Sequence, residues 1–360
     1  MIRVGISALT LVPGVVGGSE TAYRAILREL HQHPDVLPHV YLPKIAPAAA
    51  EGHAYSVIQS YPASTSTTGR LLAMGTSLAM GGRIRREMRL DQLDVLHFPF
   101  STMIPRVMSV PTVTSILDVQ HEYLPEFFSK PELAYRKLIY GRSARDSTLV
   151  IAISQHAADT IHERLHVPRE RIRVIYLGAD PAIFSPGNLE REPFLLYPAN
   201  NWPHKNHQRL FEAFAVLRRD NPSLRLVLTG SQHYGQVLPA GVEARGRVST
   251  AELVRLYRTA AALVYPSLYE GFGMPVIEAM GTGCPVASSN ASSLPEVCGD
   301  AAVLFDPTSV EAIADAVTTL LRDPAPYVAR GLERAPQFTW ARCADAHVAV
   351  YRELGLGSIS

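Results

Sequence analysis

The chain is poor in cysteine, with three in 360 residues at Cys284, Cys298 and Cys343. They are too scattered for metal-ligand spacing or for a disulfide framework, which fits a reducing, cytosolic setting. No apolar run approaches the ~20 residues that a membrane-spanning helix needs. Charge of one sign is lacking as well. Lys and Arg number 34 against 33 Asp and Glu, and the net charge of +1 excludes the footprint of a nucleic-acid binder. There is no short-period repeat. No D-x-D occurs either, so no dedicated carboxylate pair for Mg²⁺ or Mn²⁺ is in sight. Metal-independent chemistry is expected, with no cofactor.

What is present is a large apolar fraction, 47%, enough for a substantial core. Domains of ~100–200 residues make two domains the natural reading. Short strands rich in Val, Ile and Leu alternate with helical stretches. The first is "IRVGIS" at Ile2–Ser7, followed by an amphipathic pattern, "SETAYRAILREL", with Ala22, Ile26, Leu27 and Leu30 on one face. A signal peptide is the competing reading of this N-terminus. No A-x-A-like site follows, and Gly17-Gly18 leads straight into the helical pattern, so a strand, a glycine loop and a helix are preferred. "DVLHF", "TVTSIL" and "TLVIAIS" continue the alternation, while residues 43–70 read as loop. The alternation pauses over 178–193, rich in Gly and Pro, and resumes with "FLLYPA", "LRLVLTG", "ALVYPS", "PVASS" and "AVLF".

The fold class is therefore α/β, with two Rossmann-like doubly wound domains facing across a cleft. The expected boundaries are 1–180 and 181–336, with a terminal helix in 337–360 crossing back to the first domain. Ligands of such sheets bind beyond the carboxyl ends of the strands.

One stretch is chemically dense: "YEGFGMPVIE", Tyr269–Glu278. "ALVYPS" is a strand, so "LYEGFGM" is the loop at its carboxyl end, and Pro275 suits the first turn of a helix that Gly281 and Gly283 end. Gly271 and Gly273 allow close backbone approach, and the helix start favours an anion. Carboxylates beside a phosphate cradle more plausibly accept hydrogen bonds from hydroxyls, which points to a nucleotide-sugar. Taken alone, two glutamates at this spacing are a common accident; the combined string with its glycines and prolines is not.

On these residues the chain resembles retaining glycosyltransferases of family 4, with the GT-B fold. The resemblance is strongest over Leu263–Pro307 and extends to "GRVSTAELVRLYRTA", to "YPANNWPHKNHQRL" and, more weakly, to "GGSE", "LHFPFS" and "LDVQHEYLPEFFS". It places an E-x7-E motif on Glu270 and Glu278. It implies that Glu270 contacts hydroxyls of the donor sugar, Glu278 the ribose, and the backbone of Gly271, Phe272, Gly273 and Met274 the sugar and diphosphate. Lys205 would pair with the diphosphate as the nucleotide leaves. Gly17 and Gly18 would face the same cleft from the other domain. There are two departures. Where the family has a basic residue a few positions before the lysine, this chain has Asn200 and Asn201, which can donate hydrogen bonds but bring no charge. Leu117 stands where a histidine precedes Asp118, and His121 is the substitute catalytic candidate.

The resemblance implies a cytoplasmic enzyme that moves a hexosyl or deoxyhexosyl group from a nucleoside diphosphate sugar to a glycan or lipid-linked acceptor. "DVQHEYLPEFFS" resembles bacterial mannosyl- and rhamnosyltransferases of polysaccharide assembly, which makes GDP-mannose the first donor to consider. A nucleotide-sugar epimerase on the same scaffold and a non-catalytic glycan-binding subunit are the alternatives. His204 and His207 beside Lys205 suggest metal only weakly, and His97 reads as structural. The basic stretches 83–89 and 135–145 read first as solvated helix faces. The sharper reading is an acceptor surface, or peripheral contact at the inner face of a membrane.

Overall fold

The computed structural model describes residues 1–15, 17–65, 67–230 and 237–357. The chain divides into two compact units, one made of 1–177 with 340–360 and the other of 178–339.

In the first unit, β1 (Ile2–Ser7), β2 (Val36–Leu42), β3 (Ala54–Val57), β4 (Val95–Phe98), β5 (Thr112–Ile116), β6 (Leu149–Ala152) and β7 (Ile172–Val174) form one sheet. Its order is β3-β2-β1-β4-β5-β6-β7. Every pairing is parallel. Each residue of β4, β5 and β6 is buried, as expected of parallel strands covered on both faces. The apolar stretch at the N-terminus is thus a sheet strand with neighbours on both edges. The region 43–70, read from sequence as loop, contains β3. That strand escapes pattern reading because it is a sheet edge, with two residues exposed and two half-buried.

The helix Trp340–Leu356 packs in this unit against β1, β4 and the helix Gly18–Leu30. Its buried Tyr351 hydroxyl lies 2.8 Å from Nδ1 of His97, whose Nε2 is 2.8 Å from the Ser115 hydroxyl. His97 is a fully partnered core residue.

In the second unit, β8 (Glu192–Ala199), β9 (Arg225–Gly230), β10 (Val242–Ala244), β11 (Ala260–Tyr265), β12 (Val286–Ser289) and β13 (Ala302–Phe305) form a parallel sheet of order β10-β9-β8-β11-β12-β13. A parallel bridge between Ala179 and Thr339 joins the two ends of the unit. From β8 the chain winds outward to β9 and β10, then returns to β11 on the opposite side of β8. The loops after β8 and β11 therefore lie side by side at the carboxyl edge. This is the switch point where doubly wound sheets bind ligands.

The basic stretches are largely paired locally. Arg136 lies 3.1 Å from Glu132 and stacks over Phe128, Lys137 lies 3.6 Å from Glu122, and Arg142 lies 3.5 Å from Asp146. Arg83 lies 3.8 Å from Glu87, and Arg85 donates to the carbonyl of Arg106. Among the described residues, no helix is long and apolar enough to cross a membrane.

Candidate functional site

The loop after β8 carries Asn200 and Asn201, both half-buried, and then a single turn, Pro203–Lys205. This turn is pinned through its backbone. The Tyr197 hydroxyl donates to the Lys205 carbonyl at 2.7 Å, and the Leu268 N–H donates to the His204 carbonyl at 2.8 Å. Asn206 follows in the left-handed region, φ 61°, which asparagine tolerates better than most residues. Its side-chain amide donates to the carbonyls of Pro266 (3.0 Å) and Pro307 (2.7 Å). With the main chain fixed on three sides, the Lys205 side chain is aimed into the neighbouring loop.

There its Nζ meets Glu270 Oε1 at 2.5 Å, and each side chain is 12% exposed. Burial pushes the Glu270 carboxyl upward, but the charges of Lys205 and His204 and hydrogen bonds from Lys205 and Ser267 outweigh it. The net position is below the ordinary carboxylate range. Nζ also reaches the Tyr265 hydroxyl at 3.4 Å. Burial, then the nearby Glu270 charge, holds that phenol well above its usual range, so it stays protonated. An ammonium has three N–H donors, and two are accounted for by Glu270 and Tyr265.

The glycine loop is clasped from the segment after β12. The Glu270 N–H donates to the Ser292 hydroxyl at 2.8 Å. The buried Ser293 hydroxyl lies between the carbonyls of Glu270 (3.0 Å) and Phe272 (2.9 Å) and shares its one proton between them. Neither serine was singled out in the sequence. The motif "NASSLPE" reads as an ordinary turn, and only strand adjacency shows what its hydroxyls hold. Gly273 sits at φ 113°, ψ 49°, and a Cβ there would fall 2.7 Å from Leu294 Cδ2. Glycine is required on both counts.

The helix Met274–Gly281 starts directly after it, with Pro275 in the first turn. Thr282 caps its end and Gly283 follows at φ 76°. The Met274 N–H has no protein acceptor among the described residues, so it is open to an anion. The Phe272 side chain packs in the core against Phe338, ring centroids 5.7 Å apart, and so is turned away from a ligand. Glu278 lies one turn into the helix, half-buried, and accepts from the Tyr257 hydroxyl at 2.9 Å. Burial lifts its carboxyl to about 7, against the opposing pull of that hydrogen bond.

Beside Lys205, His207 is buried against Tyr197, and His204 lies near Trp202. Burial, then the charges of Lys205 and His204, push His207 down to about 4. The first unit holds the other candidates. Gly17, at φ 57°, caps the helix Gly18–Leu30, and both glycines are exposed. His121 lies on the short helix Gln120–Tyr123 and has no exposed side-chain surface. Neither ring nitrogen has a hydrogen-bond partner among the described residues. Burial, reinforced by Arg136 and Lys137, pushes it down to about 4, so it is neutral.

Two parallel-sheet α/β units in succession place the protein in the GT-B class. Solved structures of the same fold include sucrose-phosphate synthase from Thermosynechococcus elongatus, with TM-score 0.78 over 99% of this chain and 100% of that one at 17% identity. Another is HepE from Anabaena in complex with UDP and glucose, with TM-score 0.71 over 98% of this chain and 100% of that one, also at 17% identity. The family models narrow the class. "Glycosyl transferases group 1" matches residues 179–337, and "Glycosyltransferase Family 4" matches 16–183. O-antigen chain mannosyltransferase B of Escherichia coli is 30% identical over 267 residues, covering 67% of this chain and 70% of that protein. The chain belongs to the group 1 and family 4 glycosyltransferases.

Proposed function

We propose that this glycosyltransferase takes a hexosyl or deoxyhexosyl group, mannosyl first, from a nucleoside diphosphate sugar and passes it to a glycan or lipid-linked acceptor of polysaccharide assembly, with retention at the anomeric carbon. The mannosyl preference is supported by the name of the E. coli relative, and GDP-mannose as the donor rests on the resemblance of "DVQHEYLPEFFS" to bacterial mannosyl- and rhamnosyltransferases. The observation that carries the reading is the Lys205–Glu270 pair beside the glycine loop and helix start.

The roles follow from chemistry. Lys205 keeps a donor for the departing diphosphate, and the helix start adds oriented N–H dipoles, so leaving-group charge is met without metal. Glu270 is held by an ammonium and is a poor nucleophile. It positions the sugar through hydroxyl contacts while the acceptor attacks from the face the diphosphate leaves. Glu278 takes the ribose hydroxyls. Asn200 and Asn201 add uncharged donors beside Lys205. Gly17 and Gly18 keep the backbone of the first unit open to close approach. His121 is neutral and has no exposed side-chain surface, so as placed it brings neither a cation nor a ligand contact to the site.

A thermal-shift panel of UDP-, GDP- and dTDP-sugars, followed by product analysis with and without acceptor, tests this reading. GDP-mannose should stabilise the protein most, and sugar transfer should need an acceptor. Conversion of the nucleotide-sugar without acceptor would favour an epimerase. Stabilisation by none of them would sink both readings and leave a non-catalytic glycan-binding subunit.

A further inference from the structure

Helix Thr250–Thr259 carries Tyr257, which has no exposed surface and therefore cannot touch a ligand. Its ring packs edge-on against Phe184, centroids 6.2 Å apart at 72°. Its hydroxyl donates to Oε2 of Glu278 at 2.9 Å. Glu278 sits on a different helix and keeps part of its surface accessible. We propose that Tyr257 is a positioning residue for donor selection, gripping one oxygen of Glu278 so that the other faces the ribose diol. This inference rests on the reading of Glu278 as the ribose contact.

A phenol offers one O–H, and here it has one acceptor. Burial, then the Glu278 charge, holds the Tyr257 phenol well above its ordinary range, so it remains a donor. A carboxylate accepts at about four lone-pair sites, and one bond to Oε2 leaves Oε1 open. A glutamate side chain otherwise has rotamer freedom to lose on binding, and anchoring it beforehand removes that loss. The grip also opposes the rise that burial imposes on the carboxyl, favouring the ionised form that accepts two hydroxyl hydrogens.

Isothermal titration of the full chain with GDP and with 2′,3′-dideoxy-GDP reads this directly. The wild type should prefer GDP by about tenfold or more, the size of one or two hydrogen bonds to a charged group. Glu278→Gln should bring the ratio near one. Tyr257→Phe should cut it several-fold while leaving dideoxy-GDP affinity and turnover at saturating donor unchanged. A crystal structure of the wild-type chain with GDP, in which Glu278 Oε2 should stay on the Tyr257 hydroxyl while Oε1 takes the ribose diol, covers the case of a poorly folded Tyr257 variant. A merely structural tyrosine would weaken both ligands alike and leave the ratio intact. If Glu278→Gln collapses the ratio and Tyr257→Phe does not, or the bound structure shows Glu278 released from Tyr257, the positioning role is wrong. If Glu278→Gln itself leaves the ratio at the wild-type value, the ribose reading of Glu278 fails instead.

Discussion

Lys205 Nζ lies 2.5 Å from Glu270 Oε1, although the two residues are 65 apart in the chain and follow different strands. Both side chains are almost withdrawn from water, so each charge depends on the other. Truncating either partner alone leaves an uncompensated buried charge, at a cost of about 3–5 kcal/mol. Lys205→Met and Glu270→Leu should each lower the urea midpoint strongly, and the double substitution should cost clearly less than the sum. Additive losses would mean that the two do not interact. In activity assays Glu270→Ala should abolish transfer and leave nucleoside diphosphate affinity largely intact. A variant that transferred sugar at the wild-type rate would end the positioning role.

The glycine loop should tolerate no side chain at Gly273. Alanine there meets both the positive φ and the contact with Leu294, and the strain is of order 1–3 kcal/mol. Gly82, on the helix Gly81–Glu87, has nothing within 4 Å of its would-be Cβ. Gly82→Ala should be neutral or stabilising by about 0.5–1 kcal/mol. Ser293→Ala removes the hydroxyl that holds two loop carbonyls and should raise the donor KM several-fold. Equal melting temperatures for the Gly273 and Gly82 variants, with an unchanged KM for Ser293→Ala, would contradict the clasped-loop geometry.

Stability should fall on the acid side. His121, His207 and His347 are each pushed down to about 4 by burial, and His97 lies well below its usual value. The unfolded chain takes up these protons near pH 6.5 and the folded chain refuses them. Their contribution is therefore complete above about pH 6.5 and is lost as pH falls towards 4, on the order of 3 kcal/mol for each of the three if fully titrated. Glu278 runs the other way. Its folded carboxyl titrates near 7 against 4.5 unfolded, so its contribution is lost as pH rises through that window. Melting temperature followed from pH 4 to 8 should thus climb with pH, less steeply in His347→Gln and more steeply in Glu278→Gln. A flat profile would contradict burial of the imidazoles.

The sequence was legible where burial imposes a pattern. Strands β4, β5, β6 and β12 are wholly buried, and their Val, Ile, Leu and small residues mark them as strands even where Thr, Ser or His interrupts the apolar run. Four strands escaped: β3, β7 and β10 are sheet edges of three or four residues, half-exposed and without a two-sided pattern, while β2 lies inside the first sheet but has its apolar run broken by Pro38 and His39. The same limit applies to side chains. Asn206, Ser292, Ser293, Tyr257 and Tyr265 hold the site, yet each looks unremarkable beside its own neighbours in the chain.

The string from Tyr269 to Glu278 and the strand-turn-helix pattern around Lys205 carried the resemblance to the family, because glycine, proline and charge at fixed local spacing dictate a loop and a helix start, and both are present in the fold. Which loops meet was another matter. Local pattern cannot show that β8 lies between β9 and β11, since strand order is chosen by the packing of whole crossovers. That adjacency brings Lys205 to Glu270, and the packing of the two helices that flank β11 brings Tyr257 to Glu278, so two glutamates one helical turn and a loop apart become a paired carboxylate and a hydroxyl-bound one.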